Sequence, residues 1–130
     1  MKLIMTIHVT VHEPIAVKGS ERTVTLLPFS AKAEGEYFTG STIAAGCDTQ
    51  YHYPDGAFFL SARYMLEGKD FKGQPCRVFI ENNGSSLDNC RPRITTDSAA
   101  LSFLEGTDLK ATVEPTDGGE VTIRIGINET

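Results

Sequence analysis

The stretch Lys2–His12, KLIMTIHVTVH, puts apolar residues at its odd positions, Leu3, Met5, Ile7, Val9 and Val11, and mostly polar ones at its even positions, Lys2, Thr6, His8, Thr10 and His12. A period of two belongs to a β-strand with one buried face, because successive side chains point to opposite sides of the backbone. The last segment repeats it, with Val121, Ile123, Ile125 and Ile127 on one face and Glu120, Thr122, Arg124 and Asn128 on the other. Between them the pattern predicts strands near 23–32, 36–44, 48–53, 57–66, 76–82, 91–95 and 109–114, separated by turn chemistry at Glu34-Gly35, Pro54-Asp55-Gly56, Gly68-Lys69-Asp70, Asn83-Gly84 and Asp117-Gly118-Gly119. About eight or nine strands with hairpin-length links point to an all-β protein, and to a closed antiparallel barrel in preference to a sandwich, since closure removes exposed strand edges. One short helix is predicted in the C-terminal third, with Thr96 or Asp97 as N-cap, Ala100, Leu101, Phe103 and Leu104 as its apolar residues and Gly106 as its stop. It would plug one end of the barrel.

A chain of 130 residues has the length of one ordinary domain, so residues 1–130 read as a single barrel domain. Twelve Lys and Arg against 17 Asp and Glu leave a net charge of −5, an acidic balance that argues against nucleic acid as a partner, because phosphate binding needs a basic footprint. No segment approaches the roughly 20 consecutive apolar residues of a membrane helix, and the N-terminal residues lack the continuous apolar run of a secretory leader. No membrane partner and a cytoplasmic location follow as expectations. Cys47, Cys76 and Cys90 are odd in number and share no C-x-x-C spacing, so they read as reduced packing thiols, with no disulfide framework and no zinc site. His8 and His12 lie about 13 Å apart on a strand at roughly 3.3 Å per residue, too far to share one ion. Phosphate-binding glycine loops and a nucleophile elbow are absent, so no cofactor is expected.

The stretch Gly46–Leu66, GCDTQYHYPDGAFFLSARYML, is the candidate site. A two-residue type I′ turn at Asp55-Gly56 would face Asp48 with Arg63, Gln50 with Ser61 and His52 with Phe59. A three-residue loop with a bulge would slip this register by one and leave Asp48 diagonal to Arg63. In the first register the pair has two readings. One is a cross-strand salt bridge on the wet face. In the other the polar face turns inward, Arg63 offers its planar fork to an anion, and Asp48 orients that fork or moves a proton. The four tyrosines read as packing residues.

The segments EGEYFTGSTIAAGCDTQYHYPDGAFFLSARYML, CRVFIENNG and RPRITTD resemble the small proteins of domain of unknown function 3237, also called uncharacterised protein family 0311. The matching positions are Gly40, Gly46 with Asp48 and Gln50, Ala62 with Arg63 and Tyr64, Asn82 with Gly84, and Pro92 with Thr96. The resemblance runs from about Val9 to Ile125. It implies an antiparallel barrel of lipocalin-like appearance and brings no reaction with it. Two features depart from the family pattern: Thr49 follows Asp48 in a chain without tryptophan, and the segment between Asn83 and Arg91 is short.

Together these readings predict a barrel that binds a small organic or anionic ligand through Asp48, Gln50, Arg63, Tyr64 and Asn82. The alternative is a cofactor-free isomerase, cyclase or hydratase with Asp48 as general base and Arg63 stabilising developing negative charge. A third reading is an interaction or self-association module, a homo-oligomer among its forms, working through an apolar barrel face or an open edge.

Overall fold

Strand β1 (Lys2–Val11) pairs on one side with β10 (Glu120–Ile127) and on the other with β3 (Thr23–Glu34), and these two antiparallel ladders close the sheet on itself. The computed structural model describes residues 1–129. From β10 the sheet runs through β9 (Leu109–Pro115), β8 (Asn89–Thr96), β7 (Pro75–Ser86) and β6 (Phe58–Asp70). Strands β4 (Phe38–Thr42) and β5 (Gly46–His52) then share one place between β6 and β3, at different heights. The result is a closed antiparallel barrel of eight strands with two extra strands. The seam between β8 and β9 is thin, with one paired position at Cys90 and Ala111 and an added bond from the Val113 N–H to the Leu87 carbonyl at 2.7 Å.

The two ends of the barrel are filled differently. At one end Ile4, Phe38, Leu66, Leu101 and Leu104 are all but excluded from solvent and pack solid. Gly40 and Gly68 face each other across β4 and β6 there. A Cβ on Gly40 would meet the Glu67 carbonyl oxygen at 2.6 Å, and one on Gly68 would run into the Thr39 carbonyl. This close approach lets the Phe38 ring lie over Gly40. Asp70 anchors the same end: its carboxylate accepts from Ser98 Oγ at 2.7 Å and from the backbone N–H groups of Lys72 and Gln74 at 2.9 and 3.1 Å. These bonds, the Ser98 bond foremost, hold the carboxyl below its usual range.

Four local expectations are corrected. A register shift between Leu3 and Met5 turns Leu3 outward, 49% exposed, and buries Ile4 in its place. Gly68 and Gly84 lie inside strands rather than in turns; the β6–β7 turn falls at residues 71–74, and the β7–β8 turn follows Ser86. The plug is a short 3-10 turn, Ser102–Gly106, instead of an α-helix, and Ser98 Oγ, not Thr96 or Asp97, accepts the Leu101 N–H at 3.2 Å. Strand β2 (Ile15–Lys18), every residue exposed, extends β3 beyond β1 and carries too few residues to show as a period.

Candidate functional site

The Pro54-Asp55-Gly56 loop decides what enters the barrel. The Gly56 N–H donates to the Tyr53 carbonyl and the Tyr53 N–H to the Ala57 carbonyl, each at 3.0 Å, while Asp55 Oδ1 accepts the Ala57 N–H at 2.9 Å. Gly56 takes φ 91°, so the hairpin is a three-residue loop with a glycine bulge. The register therefore sets Asp48 opposite Ala62, Gln50 opposite Leu60 and Cys47 opposite Arg63. A slip of one residue changes every side chain's face. Arg63 stands on the outer wall, its side chain 68% exposed and 3.9 Å from Glu81. The expected pairing of Asp48 with Arg63 is thus replaced, and Arg63 takes no part in an interior site. Arg63→Ala should shift stability by less than about 0.5 kcal/mol in urea melts; a larger loss would mean that the Glu81 pair holds the wall.

Asp48, by contrast, points inward. It lies in a row that runs from Leu27 on β3 through Asp48 on β5 and Ala62 on β6 to Asn82 on β7. Adjacent strands are about 4.8 Å apart, so the small Ala62 leaves open the space between the two polar side chains. Here the barrel encloses a cavity of about 200 Å³, with walls from Val9, Phe29, Leu60, Val121 and Ile123 and polar groups from Asp48, Gln50 and Asn82. Leu87, from the β7–β8 turn, and Pro115, at the end of β9, lie at its rim.

Within it, Gln50 Nε2 donates to Asp48 Oδ2 at 2.9 Å. Three further buried oxygens have no protein partner: Asp48 Oδ1, Asn82 Oδ1 and the Tyr64 hydroxyl. Tyr64 is two residues along β6 from Ala62, on the same face and diagonal to Asp48, and packs edge-on against Phe29 with ring centroids 5.1 Å apart. Gly46 makes that contact fit, since a Cβ there would stand 2.6 Å from the Phe29 ring and 2.7 Å from Tyr64 Cβ.

Burial raises the Asp48 carboxyl above its ordinary value, and the Gln50 hydrogen bond opposes the rise only in part. Burial also lifts the Tyr64 phenol far up, reinforced by the neighbouring charge of Asp48, so Tyr64 stays a neutral hydroxyl. The Cys90 thiol is raised by burial against a hydrogen bond from Asn82, and donates to the Ser86 carbonyl at 3.3 Å. It is a packing thiol with no thiolate character.

The site thus gathers Asp48, Gln50 and Asn82 and leaves Arg63 out, while Tyr64 shares their inward face without lining the cavity. Gly46 and Ala62, named in the sequence only as positions of the family pattern, serve the site by being small. Ala62 is legible only once the register is known. Tyr51 and Tyr53 lie elsewhere, engaged by Arg22, whose guanidinium sits 4.8 Å from the Tyr51 ring and donates to the Tyr53 hydroxyl at 3.2 Å.

A UPF0311 protein of Clostridium acetobutylicum is 36% identical over 85 residues, which are 62% of this chain and 51% of that protein. The chain is a homologue of this one UPF0311 protein over the matched segment. It spans about half the length of the curated UPF0311 relative it matches. No family model matches the sequence. A crystal structure of a protein of unknown function from Clostridium acetobutylicum superposes with a TM-score of 0.80 at 24% identity, over 95% of this chain and 93% of that one. An enzyme from Penicillium herquei has the same fold, with a TM-score of 0.75 at 15% identity over 96% of this chain and 92% of that one. The likenesses in structure carry the barrel alone. Among the described residues, no helix is long and apolar enough to cross a membrane.

Proposed function

We propose that this barrel binds a small organic molecule in its half-hollow end, with an apolar body against the aliphatic walls and a polar group on Asp48 and Asn82. The observation that carries this reading is the pair of buried oxygens without protein partners, Asp48 Oδ1 and Asn82 Oδ1, on residues that line an otherwise apolar cavity. Buried polar atoms are nearly always hydrogen-bonded, and each orphan costs about 1–3 kcal/mol. A ligand that engages them offsets that cost. At about 200 Å³ the cavity is below the roughly 300–1,000 Å³ of drug-sized sites, so the ligand is small. Free thiols at Cys47, Cys76 and Cys90 are in keeping with a reducing compartment such as the cytoplasm.

A fragment screen by two-dimensional amide NMR, on wild type and on Ala62→Leu, tests the reading. Hits are expected to move the signals of Asp48, Gln50 and Asn82 in wild type and to bind at least tenfold more weakly once leucine fills the gap. Hits that persist unchanged in Ala62→Leu would place binding outside the barrel and end the proposal.

The raised Asp48 carboxyl favours a second reading, acid–base catalysis without a cofactor. A shielded carboxyl with one oxygen held by Gln50 and the other free is suited to taking or giving a proton at a bound substrate. In that case Asp48→Asn abolishes turnover while the fold persists.

A further inference from the structure

We propose that the ligand is an uncharged hydroxyl compound, an alcohol or phenol with an apolar body about the size of one ring, and that its O–H is accepted by Asp48 Oδ1 and shared with Asn82 Oδ1. This deepens the binding reading above and rests on it.

The class follows from what the floor of the cavity offers. Asp48 Oδ1 and Asn82 Oδ1 are both acceptors, so the group between them must be a donor. The described lining residues include no lysine, arginine or histidine, and the one guanidinium of the hairpin, Arg63, stands outside. A carboxylate or phosphate would face a carboxyl group with nothing to neutralise either charge. Anions are therefore the wrong class. An ammonium would bring three N–H donors and a full charge to two acceptors in an otherwise apolar cavity, leaving one donor without a partner. A hydroxyl brings one donor and no charge, and its single proton can be shared between the two oxygens.

Size comes from the volume. An apolar cavity of about 150 Å³ holds benzene, so about 200 Å³ holds one ring with a small substituent. Gln50 fixes the orientation of the acceptor: by donating to Asp48 Oδ2 at 2.9 Å it leaves Oδ1 for the ligand. Ala62 supplies the room. Longer or fused-ring compounds exceed that volume and would have to extend past the rim at Leu87 and Pro115.

Three probes of one shape decide the matter: 4-methylphenol, toluene and 4-methylbenzoate, titrated at neutral pH into labelled protein and followed by amide NMR. The expected result is 4-methylphenol about tenfold or more tighter than toluene, as hydrogen bonds to a charged acceptor require, with no binding of 4-methylbenzoate at the cavity. In Asp48→Leu, 4-methylphenol is expected to fall to the toluene level; Asn82→Leu is the second variant should the first fail to fold, and a loss of at least threefold is expected there. Toluene binding as tightly as 4-methylphenol would overturn the hydroxyl assignment and leave the apolar cavity in place. Equal or tighter binding of 4-methylbenzoate would overturn it in favour of an anion. If none of the three binds, the cavity reading falls with it.

Discussion

Gly68→Ala is expected to destabilise the barrel by about 3 kcal/mol or more, enough to lower the midpoint of thermal unfolding by roughly 10 °C. The added methyl has nowhere to go: it would run into the Thr39 carbonyl, with Gly40 Cα 2.5 Å and Thr39 C 2.7 Å away, all backbone. A flexible side chain could swing aside, but a backbone held in a ladder moves only with the ladder, and so the β4–β6 pairing gives way. The damage reaches the solid end of the barrel, where the Phe38 ring lies over Gly40 in the space this approach creates. Gly106→Ala is the matched control. Nothing lies within 4 Å of that position, and its backbone is not in the left-handed region, so the same methyl is expected to be neutral or to stabilise by up to about 1 kcal/mol. Urea melts of both variants check the pair. A loss below 1 kcal/mol for Gly68→Ala would mean that the two strands are not locked at this distance.

Alternation in β1 and β10 was enough to read the barrel, because one buried face forces a period of two whatever the partners. The candidate site was less legible. Asp48, Gln50 and Asn82 could be singled out as polar residues in strands, yet whether they or Arg63 faced inward depended on one residue of loop length. The deciding signal was present in Tyr53-Pro54-Asp55-Gly56: proline suits the second position of a type I turn, and the glycine after Asp55 suits the left-handed bulge. Reading Asp-Gly alone as a two-residue turn placed Pro54 in the ladder, where it has no N–H to give. The cavity itself was not legible at all. It exists because Ala62 is small in a row whose members come from β3, β5, β6 and β7, and no local pattern encodes which residues share a row. Turns were misplaced at Gly68 and Gly84 for a related reason: glycines kept for close packing look the same in sequence as glycines kept for bends. Gly84 is one of these, since a Cβ there would stand 2.7 Å from Cys90 Sγ.

Asp48→Asn is expected to make the protein more stable and less able to bind. Burial raises the folded-state carboxyl above the unfolded value of about 3.9. Between those two values the folded protein holds more protons than the unfolded one, so wild-type stability falls as pH rises through the window, and the deficit persists at neutral pH. The Asp48 carboxyl is thus most favourable to the fold when protonated, below the unfolded value. Asparagine keeps the shape and an oxygen for the Gln50 amide but removes the buried charge. The variant should therefore gain about 0.5–2 kcal/mol at pH 8, or roughly 2–7 °C in unfolding midpoint, and lose that gain as pH drops below about 4. Binding should move the other way: a hydroxyl donating to a neutral amide oxygen is held less strongly than one donating to a carboxylate, and 4-methylphenol affinity is expected to fall about tenfold at neutral pH. Thermal melts of both proteins from pH 3 to 8, together with the NMR titration, separate this from a purely structural role. If Asp48 had no part in binding, the variant would still gain stability from the lost buried charge, but its 4-methylphenol affinity would be unchanged. A charge kept in an apolar barrel at a cost to the fold, and needed for the ligand, is what a working residue looks like in thermodynamic terms, and the opposite signs of the two effects are its signature.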